Sequence, residues 1–117
     1  MFKEGTDFKK IYIACGYTDL RYGVDGLALE IQQVYNLNPF DEGILFIFCG
    51  RKSDRIKALL WDGDGFLLLY KRLSKGKFQW PRSKEEIRML TPEQYKLLVT
   101  GFSPFSSIEK VSPKYAG

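Results

Sequence analysis

Few residues in this 117-residue chain have the types and spacing to do chemistry, and carboxylates are the first to weigh. Asp62 and Asp64, with Asp54 nearby, have the makings of an acidic metal site, because two-metal phosphoryl chemistry needs clustered carboxylates about a pair of cations. The order Asp62-Gly63-Asp64-Gly65 also explains itself as a hairpin loop, and that reading is the stronger one. Asp19 and Asp25 flank Arg21 and read in the same way as a cap and an ion pair, so a nuclease built on Asp19, Asp25, Asp62 or Asp64 is the weakest functional class. The sequence contains no His, which removes Ser-His and Cys-His nucleophiles. With no Cys-x-x-Cys either, zinc-finger and zinc catalytic sites are excluded. Gly63 and Gly65 lead into a strand instead of a helix N-terminus, so they form no phosphate-binding loop. No catalytic residue, metal or cofactor is expected, and the chain reads as a non-enzyme.

What remains is cationic and aromatic. Net charge is only +4, but Arg51, Lys52, Arg55, Lys57, Lys71, Arg72, Lys75, Lys77, Arg82, Lys84 and Arg88 crowd the middle of the chain against Asp54, Asp62, Asp64, Glu85 and Glu86. Such an excess favours acidic partners, nucleic acid above all, although a solvated basic face is the commoner outcome.

The elements that must position these groups lie between Ile44 and Pro81, a stretch that reads as three or four consecutive antiparallel strands. The run Ile44 to Phe48 has no polar face, as expected of a central strand covered on both sides. The next run reaches Trp61 before the Asp-Gly turn, the third spans Phe66 to Leu73, and Lys77 to Trp80 returns after Ser74-Lys75-Gly76. If the Asp-Gly loop sets Trp61 opposite Phe66, then Leu59 faces Leu68, Lys57 faces Tyr70 and Arg55 faces Arg72. The Gly76 loop would then set Arg72 beside Phe78 and Tyr70 beside Trp80. Alternation puts Ile56, Ala58, Leu60, Leu67, Leu69 and Leu73 on a core face, with Lys71 as a misfit. Arg55, Lys57, Trp61, Phe66, Tyr70, Arg72, Phe78 and Trp80 fall on the other. That second face is either sealed, with Lys and Arg stems lying over the rings, or open for bases to stack while cations meet phosphate.

Around this sheet, Lys10 to Ala14 reads as a short strand, and Val24, Leu27, Ala28, Ile31, Val34 and Tyr35 recur at helical spacing, predicting a helix near 24–36 over the core face. Gly26 inside it costs about 1 kcal/mol relative to Ala, so either another group approaches its backbone closely or the helix starts later. Ser83 to Glu86 and Thr91-Pro92-Glu93-Gln94 have capping-box form, predicting short helices near 83–89 and 92–100, the second lined by Tyr95, Leu98, Val99 and Phe102 and stopped by Gly101. The fold class is therefore α+β: a mainly antiparallel meander sheet of three to five strands, one longer helix and short C-terminal helices. Residues 1–101 read as one domain and the Ser- and Pro-rich 102–117 as a mobile tail. Cys15 and Cys49 read as buried reduced thiols. No stretch approaches the ~18 apolar residues of a membrane span and no signal-peptide core opens the chain, so a cytoplasmic location is expected.

The phrases IYIACGYTDLRYGVDGLA, FCGRKSDRIKALLWDGDGFLLLYKRL, GKFQWP and LTPEQYKLL closely resemble the TnpB accessory protein of bacterial insertion sequences of the IS sixty-six group. That is the small second-frame product, distinct from the large RNA-guided nuclease of the same name. The likeness runs from about Tyr12 to Val99. It implies a protein encoded beside a larger transposase and needed for efficient transposition, and it does not imply catalysis. The matching positions include Asp19, Arg21, Gly23, Asp25 and Gly26 in the first motif, Arg51, Asp54, Lys57 and Trp61 in the second, and Tyr70, Lys71, Arg72, Gly76, Phe78 and Trp80 in the third. Together with the residue reading this gives two expectations. One is an accessory factor that contacts DNA at the element ends, with Arg51, Lys52, Arg55, Lys57, Arg72 and Lys77 on phosphates and Trp61, Tyr70 and Trp80 stacking or packing. The other is a protein adaptor that docks onto the cognate transposase without contacting DNA.

Overall fold

A strand without polar residues has to be covered on both faces, and Ile44–Cys49 is buried at every position. The computed structural model, which describes residues 8–82 and 86–101, shows how that is done. In chain order the elements are β1 (Lys10–Ala14), α1 (Val24–Gln33), β2 (Ile44–Cys49), β3 (Arg55–Trp61), β4 (Phe66–Arg72), β5 (Ile87–Leu90) and α2 (Pro92–Val99). The five strands form one sheet in the order β4-β3-β2-β1-β5. Leu27 and Ile31 of α1 cover the face that carries Phe46, Phe48 and Leu59. Tyr95 and Leu98 of α2, with Phe78 and Trp80, cover the face that carries Leu45, Ile47, Ile56 and Ala58.

The hairpin has the register its loop demands. Trp61 lies opposite Phe66, Leu59 opposite Leu68, Lys57 opposite Tyr70 and Arg55 opposite Arg72. The loop closes through the Asp62 N–H donating to the Gly65 carbonyl at 3.0 Å, with Gly63 at φ +107°.

Four expectations need correcting. The sheet is mixed: β1 runs parallel to β2, from Lys10 beside Ile44 to Ile13 beside Ile47. Helix α1 is the crossover such a parallel pair requires. Second, Lys77 to Trp80 does not return as a strand. Beyond Gly76 (φ +82°) the chain leaves the sheet, the Phe78 N–H donates to the Ser53 carbonyl at 2.7 Å, and the Trp80 indole N–H donates to the Ala14 carbonyl at 3.0 Å. A cross-strand aromatic pair contributes roughly 0.2–1 kcal/mol, whereas burying a large apolar side chain gives about 1.5–3 kcal/mol. Burial wins, and Phe78 and Trp80 pack on the face of Ile56 and Ala58, opposite to the one their register implied. Third, α1 covers the cationic and aromatic face instead of the Ile56 face. Fourth, Ile87–Leu90 is a strand, antiparallel to β1, where a helix near 83–89 was expected. The free edge of β1 takes up its backbone groups, and the Cys15 N–H donates to the Glu86 carbonyl just before the pairing begins. Residues 83–85 of that capping box, Phe102 and the expected tail 102–117 lie outside the described residues.

Helix α2 starts as its sequence asks, with a reciprocal capping box between Thr91 and Gln94 and Pro92 in the first turn. Its far end accounts for the misfit Lys71. That ammonium donates to the Val99 carbonyl at 3.3 Å, a cation placed at the negative end of a helix. Helix α1 ends at Gln33, short of 36, and the chain turns through Asn36 at φ 56°. Gly26 has its close approach: a Cβ there would lie 2.9 Å from Cγ of Tyr22.

Candidate nucleic-acid interface

Strand β2 delivers the chain to a tight link at its C-terminal end. The Gly50 N–H donates to the Arg55 carbonyl at 3.2 Å across the link, the Ser53 N–H donates to the Gly50 carbonyl at 3.0 Å, and Ser53 itself is buried at φ 62°. This pinned turn leaves Arg51 and Lys52 exposed at its tip, with no ion-pair partner among the described residues.

Against the link lies the loop 15–23. The Thr18 N–H donates to the Cys49 carbonyl at 2.8 Å, and the Lys57 ammonium donates to the Tyr22 carbonyl at 3.0 Å. Gly50 lies close to this loop, since a Cβ on it would sit 3.2 Å from Cδ1 of Leu20. Between loop and sheet opens a groove of about 1010 Å³, lined by Tyr17, Thr18, Asp19, Leu20, Arg21, Gly50, Arg51, Lys52, Arg55, Lys57, Leu68 and Tyr70. Five of these residues are cations and one, Asp19, is a carboxylate.

The charges within the groove differ in how free they are. Asp19 is held by Arg21 through a 2.8 Å ion pair, which depresses its pKa to about 2, and Arg21 is raised in return. Arg55 donates to Asp54 at 2.9 Å, and that hydrogen bond keeps the Asp54 carboxyl below its ordinary range. Asp54 also sees Arg72, which lies directly across the ladder from Arg55. Like charges opposite one another are unfavourable, and this carboxylate relieves them. The Lys57 ammonium stands 6.0 Å from the ring centroid of Tyr70, a residue that is 51% exposed.

The structure thus brings Arg51, Lys52, Arg55, Lys57 and Tyr70 to one groove, with Arg72 beside Arg55. Lys77 is exposed but outside the lining. Trp80 is 5% exposed in the core, and Trp61 lies toward the Asp-Gly end of the hairpin, packed with Phe40 and Phe66 at centroid distances of 5.2 and 4.9 Å. Neither indole joins the cations. The register argument missed Tyr17, Leu20 and Arg21. Their signal was the Tyr-x-Asp-x-Arg-Tyr spacing within a turn-rich stretch, which places rings and cations in a loop. Tyr17 is 40% exposed and has the Arg82 guanidinium 5.0 Å from its centroid.

The Asp62 carboxyl is engaged within its own turn. Asp62 accepts from the Asp64 and Gly65 backbone N–H groups as a turn residue does. The hydrogen bond between the two carboxyls lowers Asp62 and raises Asp64. Among the described residues no three His, Cys, Asp or Glu side chains gather to hold an ion. Cys15 and Cys49 are free buried thiols, pushed up by burial to about 11 and about 12. No helix among the described residues is long and apolar enough to cross a membrane.

Comparison with known proteins places this arrangement in context. The protein described as "Uncharacterized protein y4hO" of Sinorhizobium fredii is 41% identical over 92 residues, covering 79% of this chain and 79% of that one. "Uncharacterized protein y4jC" of the same organism is 34% identical over 92 residues, covering 79% and 78%. No solved structure matches. The family described as "IS66 Orf2 like protein" matches residues 9–108, a span that holds the whole sheet, both helices and every residue of the groove. The chain belongs to this IS66 Orf2-like family, which is associated with insertion-sequence transposition.

Proposed function

We propose that the protein is a non-catalytic accessory factor of transposition that contacts DNA, at the element ends, through the groove between the loop 15–23 and strands β3 and β4. The observation that carries this reading is the tip of the β2–β3 link: Arg51 and Lys52, exposed and unpaired among the described residues, stand beside Lys57 and half-exposed Tyr70. Arg51 and Lys52 take phosphates first because no carboxylate has to be displaced. Lys57 and Arg72 add to them, whereas Arg55 serves mainly to hold Asp54 and keep the link in shape. Such contacts supply affinity and register with little sequence choice. A gel-shift titration on element-end DNA tests it: Arg51→Ala with Lys52→Ala weakens binding about tenfold or more at low salt. Unchanged binding by that variant contradicts the reading.

The adaptor reading is supported by a different surface. Phe40 is exposed against Trp61 and Phe66 near the Asp-Gly turn, and aromatic residues are favoured in protein-binding hot spots. Co-purification with the transposase that resists nuclease treatment and is lost in Phe40→Ala, with DNA binding intact, assigns docking to that surface.

A further inference from the structure

The geometry points to an unpaired DNA strand, in preference to intact duplex, as the occupant of the cationic groove. This rests on the DNA-contact reading above and specifies it.

Neither helix is built to enter a major groove. Helix α1, VDGLALEIQQ, carries Asp25 and Glu30 and no cation at all, and α2, PEQYKLLV, carries the single Lys96. Duplex readers ordinarily insert a helix or a two-stranded ribbon whose side chains reach base edges and whose flanks meet phosphate. Here the cations line a recess between a loop and a sheet.

The remainder of the lining suits bases with free faces. Tyr17 and Tyr70 are 40% and 51% exposed, and Leu20 and Leu68 add apolar surface between cations. A duplex keeps its base faces stacked inside and offers such rings nothing, while a single strand stacks its bases on aromatic side chains and tracks a positive groove with its backbone. Lys57 beside Tyr70 and Arg82 over Tyr17 place a cation at each ring, where the phosphate next to a stacked base would lie.

The test is fluorescence anisotropy with one short labelled oligonucleotide, presented as a single strand and as its blunt duplex at equal ionic strength. The wild-type protein binds the single strand about tenfold more tightly. Tyr70→Leu lowers single-strand affinity by about tenfold and duplex affinity by less than about twofold, while Tyr70→Phe, which keeps a ring, leaves both within about twofold. Tyr17→Leu, on a loop instead of an edge strand, repeats the measurement should Tyr70→Leu fail to fold by circular dichroism. Equal affinity for both forms, or single-strand binding indifferent to both Leu variants, overturns the inference and leaves the phosphate-contact reading standing. Binding of neither form overturns both.

Discussion

Each cation in the groove is defined by the carboxylate or carbonyl it does or does not meet, and Asp19 is the most sharply defined of the acids. Its carboxyl accepts from both the backbone N–H and the guanidinium of Arg21, and these bonds hold its pKa at about 2 against an ordinary 3.8. A carboxyl whose folded pKa is depressed adds stability that is fully present above about 3.8 and is lost as pH falls toward about 2. The pair is solvent-exposed, so its effect on global stability is small. NMR titration of the Asp19 carboxyl should therefore give a midpoint near 2 in the wild type and a higher one in Arg21→Gln, still below 3.8 because the backbone N–H of residue 21 keeps donating to it. A midpoint that does not move on that substitution would show that Arg21 is not its partner. The same pairing logic singles out Arg51 and Lys52, which meet no carboxylate among the described residues.

At the scale of elements, the loop 15–23 is the piece that turns a covered sheet face into a groove, and the contact of Tyr22 with Gly26 fixes how it meets α1. Ala at position 26 gains about 1 kcal/mol of helix propensity, yet its Cβ would lie 2.9 to 3.0 Å from Cγ and Cβ of Tyr22, near the root of a side chain that cannot simply swing aside. Gly26→Ala alone is expected to destabilise the fold by about 1 kcal/mol in chemical denaturation, and in a Tyr22→Ala background it becomes stabilising by a similar amount. Additive effects would refute that contact. Gly26 also shows what the sequence makes legible: a glycine within a helical period leaves a close approach or a later helix start open, and the helix that begins at Val24 with Tyr22 against Gly26 is the first of these. The β3–β4 register was equally legible, because Asp62-Gly63-Asp64-Gly65 fixes a local pairing and alternation does the rest. Pairings between distant segments were not. Nothing local marks β1 as the parallel neighbour of β2, or Ile87–Leu90 as an edge strand for β1. A meander extended to residues 77–80 misplaces Phe78 and Trp80, because the burial of two rings outweighs one more ladder. Helical spacing predicts the helix near 24–36 but not the face it covers, and nothing in the spacing brings the loop 15–23 against Arg51, Lys52, Lys57 and Tyr70.

For the whole molecule, the consequence of two helices on two faces is that little of either sheet face is left open. Helix α1 seals Phe46, Phe48 and Leu59, while α2 with Phe78 and Trp80 seals Ile47, Ile56 and Ala58, and the cations of the groove lie at one end of the sheet. Lys9 and Lys10, both exposed, lie at the opposite end, where Lys10 pairs with Ile44 at the start of β2. A charge effect arising from overall basicity would treat the two ends alike, and a site would not. The direct test is the slope of log binding constant against log salt for duplex and single-stranded element-end DNA, in the wild type, in Arg51→Ala with Lys52→Ala, and in Lys9→Ala with Lys10→Ala. The groove predicts a wild-type slope of about −3 to −4, made shallower by about 2 when Arg51 and Lys52 are removed and unaltered when Lys9 and Lys10 are removed. Equal slopes for the two double variants, or no salt-dependent binding at all, would contradict it.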